Sequence, residues 1–387
     1  MKIRFDKLGV AIALIAACGA YSSFAVLKPN RILQGQAKSI LDALPSWMGW
    51  SLLFVLLLAG AAAVLRTTAW LKLMAAAVAL VVLALAIGHA ATFLAPSGNS
   101  YARVSPASGF WLMFFAFALL AADAITRLRP PPWMRVLFLV VAAMGAGGLL
   151  MSGSWDGLSI MKEYSGRADV FWTEAGRHVA LTLGSLVAAV AVGLPLGIFC
   201  HRFRALRDAV LNTLNLIQTI PSIALFGILI GPLAWLAATV PGAADIGIRG
   251  IGAAPAFVAL FLYSLLPVVA NTVIGLAGVP REANDAARGI GMTDGQRLFR
   301  IELPLALPVI LTGIRIVLVQ NIGLATIAAL IGGGGFGVFV FQGIGQTAMD
   351  LVLLGAVPTV AMAFAAAVVL DASIEMNFRV QNGARSA

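Results

Sequence analysis

Apolar residues in this chain run in long uninterrupted stretches, and the polar and basic residues gather in short clusters between them. A helix needs about 20 consecutive apolar residues to cross a bilayer. Ten stretches reach that length: 8 to 27, 47 to 65, 73 to 95, 109 to 125, 134 to 151, 177 to 200, 212 to 238, 254 to 276, 306 to 330 and 351 to 371. Connections such as RLRPPPWMR, residues 127 to 135, carry prolines that forbid one continuous helix. The pattern predicts an all-α polytopic membrane protein with about ten transmembrane helices.

The composition agrees, since 61% of the 387 residues are apolar and only 11% are charged, a ratio no soluble domain of this size tolerates on its surface. A net charge of +10 could suggest nucleic acid, but the position of the basic clusters between apolar runs accounts for it as topology, so no nucleic-acid partner is expected. With the N-terminus inside, 17 of the 26 Lys and Arg fall on inner segments, eight fall outside, and Arg315 lies within a span. That asymmetry predicts both termini inside. The first run is read as an uncleaved anchor; a signal peptide, or a lipoprotein signal with Cys18 as acceptor, is the alternative. Cys18 and Cys200 sit in apolar runs, and His89, His178 and His201 are far apart, so neither a disulfide framework nor a metal site is expected.

The chain divides by its intramembrane polarity. Residues 1–151 hold five spans with few polar groups, 152–176 form an outer segment, 177–371 hold five more spans, and 372–387 form a cytoplasmic tail. The later spans contain Asn212, Asn215, Gln218, Thr219, Asn271, Arg315, Gln320 and Asn321. Polar groups are costly in hydrocarbon, so these face a protein interior or a water-filled path. Gln218, Thr219, Pro221, Asn271, Arg315, Gln320 and Asn321 are therefore candidate path or gate residues. Pro221 should kink or break its helix, and Arg315 either lines the path or braces it. The run GGGGFG, with Gly334 and Gly335 at its centre, lacks the Lys-Ser or Lys-Thr of a phosphate loop and reads as a tight outer turn or gate. The spans hold no acid-base or nucleophilic cluster, so the chain is not read as an enzyme.

One polar island stands apart, DAARGIGMTDGQRLFRIELPLALP at residues 285 to 308. Pro280 suits a helix start, and the Gly289 and Gly291 pair ends that helix. A second helix starts at Thr293, with Gln296 completing a capping box, and Pro304 is expected to end it. Two short helices at an angle would then expose Leu298, Phe299 and Ile301 beside basic groups, which calls for a partner or a membrane surface to cover them.

Asp285-Ala286-Ala287, Gly291 and Ile301-x-Leu303-Pro304 resemble the EAA loop of the membrane subunits of binding-protein-dependent ATP-binding-cassette importers. In that family the loop docks into the ATPase and transmits its closure. The resemblance implies that Glu282, Asp285, Ala286, Ala287, Gly291, Phe299, Ile301, Leu303 and Pro304 form an ATPase-coupling loop. The family's first Glu is Asp285 here, and a register starting at Glu282 would put Arg288 where Gly is needed. Over residues 177 to 371, RHVALTLGSLVAAVAVGLPLGI, IQTIPSIALFGILI, LLPVVANTVIGL and ALPVILTGIRIVLVQNIGLATIAALIGGGGFG together resemble permeases of the quaternary-amine branch, which import glycine betaine, choline and related osmoprotectants. This implies a five-helix type I permease core in the inner membrane, with no cofactor in this chain and ATP and Mg on a cytoplasmic ATPase subunit. It also implies a periplasmic substrate-binding protein, a second permease copy or a homologous permease, a small-molecule solute and surrounding lipid. Residues 1–151 are additional to that core, as in a subset of betaine-type permeases. Trp155, Tyr164, Phe171 and Trp172 read as interfacial anchors or docking contacts, because the family's aromatic cage belongs to the binding protein. An importer of another small solute, or a non-transporting membrane sensor or scaffold, is the alternative.

Overall fold

The computed structural model describes residues 5–30, 34–95 and 101–383. Lys2, Arg4, Arg31 and Arg385, used above for topology, lie outside them, as do the last four residues of the expected tail. The chain forms two units, Met1–Gly166 and Arg167–Ala387.

The first unit holds α1 (Lys7–Tyr21), β1 (Ala25–Lys28), β2 (Gln36–Lys38), α2 (Ile40–Ala43), α3 (Ser46–Val64), α4 (Ala69–Leu94), β3 (Arg103–Pro106), α5 (Ser108–Leu128), α6 (Pro132–Met151) and α7 (Ser159–Ser165). The expected span 8 to 27 is only the 15-residue α1, about 22 Å long and shorter than the hydrocarbon core. The chain leaves the helix at Ser22 because residues 25–28 pair on both edges, in an antiparallel sheet of order β2-β1-β3. The sheet satisfies backbone groups that a continued helix would otherwise satisfy. No alternating pattern announced it. α1, α3, α4 and α5 pack around alanines at 59, 63, 76, 79, 86 and 116, closed by Phe24, Met113 and Phe117. Small side chains let apolar helices approach closely where the lipid supplies no hydrophobic drive. On α6 only Pro132 is buried, so its sides face outward.

The second unit holds α8 (Ala168–Arg202), α9 (Arg204–Thr219), α10 (Ser222–Thr239), α11 (Ala253–Ala277), α12 (Arg281–Gly289), α13 (Asp294–Arg297), a π turn (Leu298–Glu302), α14 (Leu303–Ala325), a 3-10 turn (Ile327–Ile331), α15 (Gly337–Gly345) and α16 (Met349–Gly383). α11 is central and packs on α8, α9, α10 and α14, while α14 also meets α16. The expected span 212 to 238 is divided at Ile220 and Pro221, so α9 is a largely exposed helix with only Leu214 buried and α10 alone crosses. α8 begins at Ala168 and α7 precedes it, so much of the outer segment 152–176 is helical. α16 carries the helix past residue 371 into the expected tail. Among the described residues nine helices are long and apolar enough to cross a membrane, with α1 as a shorter tenth apolar helix.

Candidate functional site

The polar island is anchored by a chain of four charges, Asp294, Arg297, Glu302 and, on α8, Arg202. Thr293 Oγ1 accepts from Gln296 N at 3.3 Å and Gln296 Oε1 from Thr293 N at 3.0 Å, the expected capping box. Pro304, expected to end the helix, does not: α13, the π turn and α14 run on as one helix from Asp294 to Ala325. Proline lacks an N–H and crowds the carbonyl four residues back. The wider turn, with Leu303 N donating to Leu298 O, carries the helix past that conflict. It also aims Glu302 inward. Glu302, 3% exposed, accepts from Arg297 Nε at 2.9 Å and from Arg202 Nη2 at 2.9 Å, while Arg297 Nη2 reaches Asp294 at 2.9 Å. The loop is thereby tied to the last turn of α8. Charges removed from water need such pairing, because an unpartnered one costs several kcal/mol.

Around that anchor the predicted residues separate into two faces. Ala287 is buried, and Leu303 packs with Leu276, Val279, Ala306 and Ile310. Ile301 and Pro304 are half-buried. Glu282, Asp285, Ala286 and Gly291 are exposed, Phe299 is 68% exposed, and Ile290, which sequence reasoning overlooked, is 75% exposed. Two bare apolar side chains flanked by acids on α12 and by Arg288 and Arg300 make a surface that water disfavours unless a partner covers it.

The path candidates lie elsewhere in the unit. Asn321 is fully buried and donates through Nδ2 to Ser185 Oγ at 3.0 Å and Ser264 Oγ at 2.9 Å, joining α14, α8 and α11. Each serine donates in turn to a carbonyl of its own helix, and Thr182, one turn from Ser185, buries a hydroxyl without a partner among the described residues. Arg315 pairs with Asp371, bracing α14 against α16. Gln218 Nε2 donates to Tyr263 O at 2.7 Å and the Tyr263 hydroxyl donates to Ile220 O, so α11 secures the chain where Pro221 breaks it. Thr219 is exposed and bonds its own helix. Asn271 Nδ2 donates to Pro267 O at 2.8 Å beside Gly313, where any Cβ would meet its side chain. Gln320 is half-buried. These residues are thus spread over several helix contacts instead of gathered in one chamber.

The glycine run closes against the start of α8. Gly334 and Gly335 have φ of +77° and +87°, a region other residues enter at a cost. Gly335 N donates to Glu174 Oε2 at 2.6 Å, and Phe336 N donates to His178 Nδ1 at 3.3 Å. With Nδ1 accepting, His178 Nε2 donates to Ile322 O at 3.0 Å, the neutral tautomer. Arg177 pairs with Glu174 at 2.7 Å. A Cβ on Gly334 would sit 2.7 Å from Glu174 Oε2. Phe171 packs at a tilt against Phe336 and Phe339, and Trp155 Nε1 donates to Ala84 O at 2.8 Å, so these two aromatics serve internal packing. Trp172 remains exposed.

Sequence reasoning missed Asp371, Tyr263, Ser185, Ser264, Glu174, Arg202, Arg297 and Glu302 as partners. An Arg within a span signals that some acid must meet it, and Asp371, at the end of the last predicted span, was the one acid within the later five spans. The serines carried no such signal, since Ser bonds its own helix readily.

Comparison with known proteins divides the chain at nearly the same place. Residues 193–378 match the family described as binding-protein-dependent transport system inner membrane component, and residues 6–161 match the N-terminal domain of the ABC transporter permease YehY. The osmoprotectant import permease protein OsmW of Salmonella typhimurium is 46% identical over 195 residues, 50% of this chain and 84% of that protein. The choline transport system permease protein OpuBB of Bacillus subtilis is 37% identical over 186 residues, 48% of this chain and 78% of that one. Among solved structures, the MetNI methionine ABC transporter in an inward-facing conformation is matched over 54% of this chain and 96% of its own, with 22% identity and a TM-score of 0.46.

Proposed function

The chain belongs to the inner membrane components of binding-protein-dependent transport systems, multi-pass permease subunits of ABC importers, and on that premise we propose that its solute is a quaternary-amine osmoprotectant, glycine betaine or choline. The names of OsmW and OpuBB, at 46% and 37% identity, support the solute class. ATP and its Mg bind a separate cytoplasmic ATPase, a periplasmic binding protein delivers the solute, and a second permease copy or a homologous permease completes the pathway.

The observation that carries this reading is the exposed apolar and charged face of the α12–α13 loop set on the buried Arg297–Glu302–Arg202 anchor. Exposed Phe299 and Ile290 supply the area an ATPase groove would bury, and Glu282 and Asp285 supply charge beside it. Glu302 holds both the loop and Arg202, so a displacement of the loop moves the inner end of α8. α8 is one helix of 35 residues, about 50 Å long. Its outer end carries Glu174 and His178 against the Gly334–Gly335 turn. Loop movement at the ATPase is therefore delivered through α8 to the outer turn, which opens or closes the path braced by Arg315 and Asp371.

The test is reconstitution in vesicles with the ATPase and binding protein. ATP-dependent accumulation of labelled glycine betaine or choline is expected. Accumulation of a different solute alone would overturn the solute class, and an assembled complex that moves none would make the chain a sensor or scaffold. Gly291 has φ +80° with open space where a Cβ would sit, so Gly291→Leu strains the backbone without a clash at that atom, by about 1–3 kcal/mol. Loss of ATPase association or coupling with normal membrane insertion is expected. Undiminished transport would count against the docking role.

A further inference from the structure

The inner end of the first unit contains a polar cavity of about 440 Å³ lined by Asp6, Lys7, Arg66, Thr67 and Arg127. Three chain segments converge there: the start of α1, the turn between α3 and α4, and the last turn of α5. Its one carboxylate is already engaged. Asp6 Oδ2 meets Lys72 Nζ at 2.7 Å and Arg127 Nη1 at 2.8 Å, and Oδ1 accepts from Leu8 N. Lys7 and Arg66 have no acidic partner among the described residues, and Arg66 spends only Nε on Phe5 O at 3.2 Å. The cavity thus keeps a cationic surplus beside a bonded carboxylate.

Two exposed tryptophans supply an independent observation. Trp70, at the start of α4, and Trp133, at the start of α6, are 51% and 57% exposed. Both helices begin on the side that the basic residues mark as inner. Exposed tryptophans at helix starts mark headgroup level, which places the cavity where lipid phosphates lie.

We propose that this cavity binds the phosphate of an anionic phospholipid headgroup of the inner leaflet, with Lys7 and Arg66 as the ligands and Arg127 oriented by Asp6 and Asp123 as the wall. A volume near 440 Å³ accommodates a phosphoglycerol group, and basic pockets between spans at the inner surface attract such headgroups. The inference does not depend on the transported solute.

The full chain, purified in neutral detergent, would be exchanged into vesicles of phosphatidylcholine with or without phosphatidylglycerol, and the lipid retained on re-extraction would be measured. Preferential retention of phosphatidylglycerol is expected, falling roughly tenfold or more in the double variant Lys7→Gln/Arg66→Gln, as two basic groups near an anionic surface imply. Lys28→Gln/Lys38→Gln, at the sheet end, should retain as the unaltered chain does. Competition by inorganic phosphate separates the sources: no displacement identifies the lipid, and displacement at matched concentration shows that the site takes free phosphate instead and overturns the lipid assignment. Thermal unfolding in neutral detergent checks the variant's fold, and the charge-keeping exchange Lys7→Arg/Arg66→Lys should retain lipid. Equal retention by the unaltered chain and the neutral double variant overturns the site, as does a loss in the charge-keeping exchange as large as in the neutral variant.

Discussion

Asp6 shows how much one side chain settles in an apolar protein. It caps α1 and neutralises Lys72, which is 1% exposed on α4. The hydrogen bond from Lys72, with Arg127 adding to it, holds the carboxyl well below the usual carboxylate range against an opposing effect of burial. A carboxylate depressed in the folded state contributes stability fully above its unfolded pKa, near 4, and loses it as pH falls further towards the folded value. Acid unfolding of the first unit, followed by tryptophan fluorescence, should therefore begin only below about pH 4. Asp6→Ala should cost about 3–5 kcal/mol at neutral pH by leaving Lys72 buried and unpaired, measured by thermal or denaturant unfolding in detergent. Asn321 has a smaller stake: Asn321→Leu should cost about 1–3 kcal/mol, because Ser185 and Ser264 keep their bonds to their own helices. Neither partner set was legible beforehand, since spacing along the chain does not say which residues more than fifty positions apart will meet.

Among the elements, the helix through the polar island separates what local pattern determines from what it does not. The capping box at Thr293 was legible because its two members lie three positions apart. The passage of the helix through Pro304 was not, because proline's local preference is to stop a helix, and only the wider turn that sets Glu302 between Arg297 and Arg202 resolves the conflict. Pro221 lacks such a turn, and there the break was legible and real. Glu302→Gln should lower the stability of the second unit by about 3 kcal/mol and reduce solute-stimulated ATP hydrolysis in the reconstituted complex. Glu282→Gln, on the exposed side of α12, should change stability by less than about 0.5 kcal/mol, so the pair of variants separates the anchor from the docking face. A double-mutant cycle on Arg315→Gln and Asp371→Asn should show coupling between α14 and α16, since each change removes the same ion pair.

At the scale of the whole molecule, the division after Gly166 gives each unit its own core. OsmW and OpuBB match only about half of this chain while covering most of their own length. A chain beginning at Arg167 should therefore insert and unfold cooperatively by itself, measured by thermal unfolding in detergent. Aggregation of that fragment wherever residues 1–166 are absent would contradict the division. The sequence by itself determined the membrane class, the greater part of each span and the boundaries set by proline and glycine, because apolar run length and backbone restrictions are local properties. Tertiary structure alone decided that α1 stops short to feed a sheet, that Glu302 joins loop to helix, and that Arg315 answers to Asp371. Those outcomes depend on which distant groups come within hydrogen-bonding reach, and the cost of burying a charge or a backbone amide is settled only by the partner it meets.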